Sequence, residues 1–132
     1  METLEPEFFT QLKENDILFI DSSHVCKTGS DVNFEILEVL PILNKGVIVH
    51  FHDIELPYEY NKVYFTNPTF RVFWTESYLL QAFLCCNKNF EILLPLCYLQ
   101  RNYKKEFDEM FPLGKTIQFW GSGSFWIKRV KQ

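Results

Sequence analysis

Two largely apolar runs, each closed by an aspartate, constrain this chain more than any other feature. The first is "DILFID" (16–21) and the second "GVIVHFHD" (46–53). The first run does not alternate polar with apolar residues, so it is predicted to be a strand covered on both faces, as in parallel sheets, and the second is predicted to be another buried strand. Between them Ser30 stands where it can cap a helix, "DVNFEILEVLPIL", with Val32, Ile36, Leu37, Leu40 and Leu43 as its apolar stripe and Pro41 in its last turn. Strand, helix, strand with short connections is a parallel crossover unit, expected to be right-handed.

Other segments extend this frame. "LEPEFFTQLK" carries Leu4, Phe8, Phe9 and Leu12 at helical spacing, with Pro6 near its start, and predicts a short amphipathic helix. Residues 54–73 form a long proline- and aromatic-rich loop, of a length usually reserved for function or disorder. Thr75 then caps a helix "ESYLLQAFLCCN", and "FEILLPLCYL" reads as a third strand. Residues 100–117 stay ambiguous: "RNYKKEFDEMF" suits a helix and "PLGK" a stop. "GSGSFWIKRV" ends in a strand of alternating pattern, and its glycines read as a turn because no helix follows them to cradle a phosphate. The fold class expected is α/β, mostly parallel with an antiparallel last strand placed at the edge and helices packed on the sheet. The whole of 1–132 fits a single domain.

Composition excludes several classes. At 47% hydrophobic and 17% aromatic, with 14 Phe, the chain has the means to bury a core and is unlike a disordered segment. A net charge of -4, with only "KRVKQ" as a weak basic cluster, argues against nucleic acid as a partner. The apolar runs are too short to span a bilayer, so no membrane is expected. Four cysteines (Cys26, Cys85, Cys86, Cys97) lack paired CxxC spacing and no secretory leader precedes them, which predicts reduced thiols in a cytoplasm.

Candidate chemistry gathers where the two predicted strands end. In open α/β sheets ligands bind outside the carboxyl ends of the strands, and there Asp21, His52 and Asp53 fall, with His24 three residues after Asp21. Carboxylates and imidazoles converging from neighbouring strands suit a divalent cation such as Mg or Mn, with His24 either a further ligand or a neutral base. The structural alternative is an aspartate that caps the next turn and a histidine that merely hydrogen-bonds to it. His50 and His52 alternate and should share one face, one of them as a satisfied core histidine. Trp74, Trp120, Trp126 and the tyrosines 58, 60 and 64 either line a pocket for a planar or sugar-like substrate or belong to the core.

Taken together, "DILFIDSSHVCKTGSDVNFEILEVLPILNKGVIVHFHDIELPYEY", "TESYLLQAFL" and "GSGSFWIKR" resemble the second half of a class I S-adenosylmethionine-dependent methyltransferase. The branch is the metal-dependent O-methyltransferases, which include catechol and macrolide-sugar enzymes. The resemblance implies the fourth to seventh strands of a seven-stranded Rossmann-like sheet, with the last strand antiparallel. It maps acidic metal ligands onto Asp21 and Asp53, with His52 where some members have Glu, and matches His24 to a general base. S-adenosylmethionine is the implied cofactor and a small-molecule hydroxyl the implied acceptor. Chemically, an imidazole takes the hydroxyl proton and the oxygen attacks the sulfonium methyl in line.

The family's glycine-rich turn after the first strand and acidic end of the second are not among these 132 residues. The chain therefore reads as the carboxyl-terminal half of such a domain, expected to be inactive alone, and its cofactor-binding residues are not identified. Its first strand is expected to present an apolar edge at 16–21, and so to form a homo-oligomer or to pair with a chain supplying the other half. A non-catalytic, self-associating or partner-binding module of the same fold is the alternative. A metal-dependent hydrolase is less well supported, since no nucleophile or oxyanion motif is apparent.

Overall fold

A computed structural model describes residues 4–69, 71–116 and 122–131. The chain opens with a 3₁₀ helix, Pro6–Gln11, and not the amphipathic helix expected over 4–13. None of its residues is buried, and a six-residue segment offers an α-helix too few turns to repay nucleation. It is pinned from the side, where the Asn44 amide donates to the carbonyls of Thr10 (2.7 Å) and Leu12 (2.8 Å).

Strand β1 (Ile17–Ile20) leads to Ser30, whose hydroxyl accepts from the Asn33 N–H and caps α1 (Asp31–Asn33), as the sequence predicts. The helix continues as a π-helical stretch, Phe34–Val39, and returns to α geometry in α2 (Leu40–Ile42). Within the widened turn the Leu40 N–H reaches the Glu35 carbonyl, and the next residue, Pro41, has no N–H to offer. Val32, Ile36, Val39, Leu40 and Leu43 are buried, whereas Leu37 is 52% exposed, so Val39 takes the place that Leu37 was expected to hold. After a turn at Gly46, which adopts φ +91°, strand β2 (Ile48–His52) lies parallel to β1, with Ile17 opposite Ile48 and Ile20 opposite Phe51.

Downstream come α3 (Val63–Thr66), α4 (Glu76–Leu84), β3 (Phe90–Pro95), α5 (Leu96–Asn102), α6 (Lys104–Met110), a 3₁₀ turn at Pro112–Thr116 and β4 (Ser124–Arg129). The predicted third strand over 90–99 stops at Pro95, which cannot donate to a ladder, and its remainder becomes α5. The helix after Thr75 ends at Leu84, short of the expected residue 87, with Cys86 in the left-handed region at φ 63°.

The sheet runs β1-β2-β4-β3. The last strand is antiparallel, as expected, but it is not an edge: it inserts between β2 and β3 and pairs antiparallel with both. The other three strands share one direction. This is an α/β arrangement with a mixed four-stranded sheet and helices packed on it, consistent with part of a Rossmann-like sheet. The core joins Ile20, Val49, Phe51, Phe125 and Ile127 of the sheet to Val32, Ile36, Val39, Leu40 and Leu80 of the helices.

The expectation that β1 is covered on both faces fails. Ile17 and Phe19 are 55% and 56% exposed, while Ile20 is buried. The apolar run thus alternates in exposure although not in composition. The reason is topological: β1 sits at the sheet edge, and Ile17 and Phe19 lie on the face away from the core helices.

Candidate active site

The carboxyl ends of β1 and β2 bring Asp21, His24, His52 and Asp53 together. His52 Nδ1 lies 3.4 Å from Asp21 Oδ1 and 3.5 Å from Asp53 Oδ2, and His24 Nε2 lies 3.8 Å from the same Asp21 oxygen. Both His24 (φ 59°) and Asp53 (φ 56°) adopt the left-handed conformation that side-chain-bearing residues seldom take, and such positions cluster at functional sites. For His24 the local cause is visible. Its carbonyl is turned to accept the N–H groups of Thr75 (2.8 Å) and Glu76 (3.2 Å), donors at the start of α4 that have no partner within the helix. Thr75 occupies the predicted cap position, yet its hydroxyl accepts from the Cys26 N–H (2.8 Å) and so ties the same loop to α4.

This clamp delivers the residue that the sequence reading missed. Glu76, 1% exposed, sets Oε2 at 2.7 Å from His24 Nδ1, and the Ser22 hydroxyl donates to the same oxygen at 2.7 Å. A carboxylate can only accept, so the pair places the imidazole proton on Nδ1 and leaves Nε2 as the basic nitrogen, on the side of Asp21. The Glu76 hydrogen bond raises the His24 pKa above its ordinary value; burial opposes this, and the charges of Glu76, Asp53 and Asp21 add to it. The Trp74 ring lies 4.5 Å from the imidazole and shields it. A glutamate in the first turn of a helix is unremarkable in sequence. Only its burial, fixed by contacts more than fifty residues apart, marks it out.

A second buried acid stands behind the first. Glu35, on the π-helical stretch, is 9% exposed. Its carboxyl is pushed up to about 8, chiefly by burial and then by the charges of Glu76 and Asp31, with His24 acting the other way. Among the described residues Glu35 Oε2 and Glu76 Oε1 have no hydrogen-bond partner. Glu35 also lines a cavity of about 830 Å³ beside Asp21, whose walls include Asp31 and Glu38.

The remaining predicted residues separate into roles. His50 is the satisfied histidine: its Nε2 lies 2.6 Å from the Ser124 hydroxyl, its ring stacks on Trp126 at 4.2 Å, and burial lowers its pKa. It shares a face with His52, since both approach Phe19. Tyr60 is buried, with its hydroxyl accepting from the Ser77 N–H at 2.9 Å. Tyr64 lines a cavity and its ring lies 5.1 Å from Trp74, while Tyr58 lies under the Arg101 guanidinium. Trp120 and part of the glycine turn fall outside the described residues.

The expected divalent cation is not supported by this arrangement. Among the described residues no three His, Cys, Asp or Glu are disposed to hold a metal ion. The His52 imidazole itself stands between the two carboxylates that were expected to share one. The four cysteines are free thiols, and among the described residues no helix is long and apolar enough to cross a membrane.

Residues 2–54 match the family model of a methyltransferase domain, a stretch that takes in β1, the helix over 31–42 and β2 and ends one residue past Asp53. The match covers less than half of the chain. No curated protein and no solved structure matches it.

Proposed function

We propose that this chain carries the base and acceptor side of an S-adenosylmethionine-dependent methyl-transfer site and that the methyl group goes to a hydroxyl oxygen. The observation that carries this reading is the buried His24–Glu76 pair at the end of β1, inside the stretch similar to a methyltransferase domain. S-adenosylmethionine would supply an electrophilic methyl group on a positively charged sulfonium. The cavity beside Asp21 suits that charge, since the carboxylates of Asp21, Asp31 and Glu38 line it, with the protonated Glu35 beside them, and no lysine or arginine does. His24 Nε2 removes the proton from the acceptor hydroxyl, Glu76 stabilises the imidazolium that forms, and Trp74 keeps water from the ring. No step requires a metal ion.

Contacts to the rest of the cofactor come from elements beyond the four strands, meeting the sheet at the free edge of β1. That edge also favours the second reading, a self-associating or partner-binding module. Ile17 and Phe19 are exposed there, an apolar surface that a second chain would cover. With four free thiols, a reducing cytoplasm is the compartment we assign.

The test uses the assembly purified from its native cells with methyl-labelled S-adenosylmethionine. Label should enter hydroxyl compounds, and His24→Ala should lower the rate by about 10²–10⁴-fold. An assembly that folds and associates yet transfers no label would leave the second reading standing in its place.

A further inference from the structure

One cavity near the site is not accounted for by the base pair. It has a volume of about 600 Å³ and opens at Asp53, between the chain leaving β2 and helix α5. That is the size of a small-molecule pocket. Asp53 belongs both to this cavity and to the charge surroundings of His24. The Tyr64 ring in its wall packs on Trp74, which packs on the His24 imidazole.

Two amide side chains in the wall have their oxygens already occupied. Gln100 Oε1 accepts from the Ser122 hydroxyl at 2.5 Å, and Asn61 Oδ1 accepts from the Val63 N–H at 3.0 Å. Each amide is thereby oriented, and its NH₂ group, with no protein partner among the described residues, is free to donate to a ligand in place of solvent. The two together ask for acceptor oxygens, while Asp53 asks for a donor. A hydroxyl group is both.

The charge balance narrows the class further. Arg101 is fixed by Glu55 at 3.0 Å and lies 4.2 Å over the Tyr58 ring, so its charge is already answered and the cavity is left with that of Asp53. An anionic acceptor would be repelled. A flat aromatic acceptor would need an apolar slot, and here Val63, Cys97 and the Tyr64 ring are the apolar part of a lining that is otherwise mostly polar. An apolar cavity of about 350 Å³ does exist, between Leu56, Leu84, Ile92 and Phe125, but none of the site residues lines it.

We propose that the cavity at Asp53 is the acceptor pocket and that Gln100 and Asn61 select a neutral, hydroxyl-rich molecule in it, an assignment resting on the methyl-transfer reading for the fate of that molecule. Binding is measured without cofactor, so that the pocket and the reaction are judged separately. Saturation-transfer NMR and titration would use methyl α-D-glucopyranoside and myo-inositol, with glucuronate and catechol as competitors. The neutral polyols should bind saturably, glucuronate at least about tenfold more weakly, and catechol should not displace them. Asn61→Ala should weaken polyol binding by about tenfold while thermal unfolding and the His24 titration stay unchanged. Gln100→Glu, of nearly the same shape, should weaken it as well. Displacement by catechol, no polyol binding to the folded protein, or variants that bind as the wild type does would overturn the assignment. Polyol binding without label transfer would instead overturn the methyl-transfer reading and keep the pocket.

Discussion

Replacing Glu35 by glutamine isolates the cost of the buried acid. Its carboxyl is held near 8 in the folded protein against an ordinary 4.5, with burial as the main cause. An acid whose pKa rises on folding binds its proton more tightly in the native state, so its contribution to stability is complete below pH 4.5. It is lost as pH climbs to about 8. Inside that window each pH unit costs about 1.4 kcal/mol, and moving from roughly pH 5 to pH 7.5 removes about 3 kcal/mol through this one group. Glutamine keeps the shape of the neutral acid and cannot ionise. Urea denaturation of both proteins across this range should find them within about 1 kcal/mol at the acid end and the Gln variant more stable by about 3 kcal/mol at the other. Curves that stay parallel across the range would refute the reasoning, because they would mean that Glu35 titrates alike in both states.

Other perturbations test other links. The His24 ring signals should titrate above the ordinary histidine value, and Glu76→Gln should lower that titration, since burial would then be opposed only by the charges of Asp53 and Asp21. The stabilisation from this pair is present at low pH and disappears as pH rises through the raised His24 value, the direction that a two-variant denaturation series can check. Gly123→Ala would place a Cβ 3.0 Å from the Asp53 Cα and should cost about 1–3 kcal/mol while disturbing the His52–Asp53 geometry, read by calorimetry and by the His52 shifts. Phe51→Ala, in the fully buried core, should cost about 3–5 kcal/mol in urea denaturation. Phe19→Lys on the exposed edge should leave the fold intact and shift light-scattering mass toward the monomer; unchanged mass would remove the edge from the interface.

What could be read in the residues followed local rules. The crossover unit over 16–53 declared itself because Ser30 caps, the 3.6-residue period and the two apolar runs all agree, and Asp21, His24, His52 and Asp53 do converge at its end. The insertion of β4 between β2 and β3 has no local signature, since alternation tells which face a strand buries and not which neighbours it takes. The burial of Glu76 was hidden for the same reason: its partners are Ser22 and His24, brought to it only by the clamp at the start of α4. Chemistry expected of a cation was read from residue types alone. The geometry puts an imidazole between the carboxylates.

Equilibrium binding of S-adenosylmethionine to the assembly recovered from native cells, with its mass fixed by light scattering, bears most directly on the central claim. The account predicts saturable binding to the assembly that weakens when the Phe19 edge is blocked and the chain is made monomeric. A folded assembly of known mass that binds no S-adenosylmethionine at any concentration would contradict it.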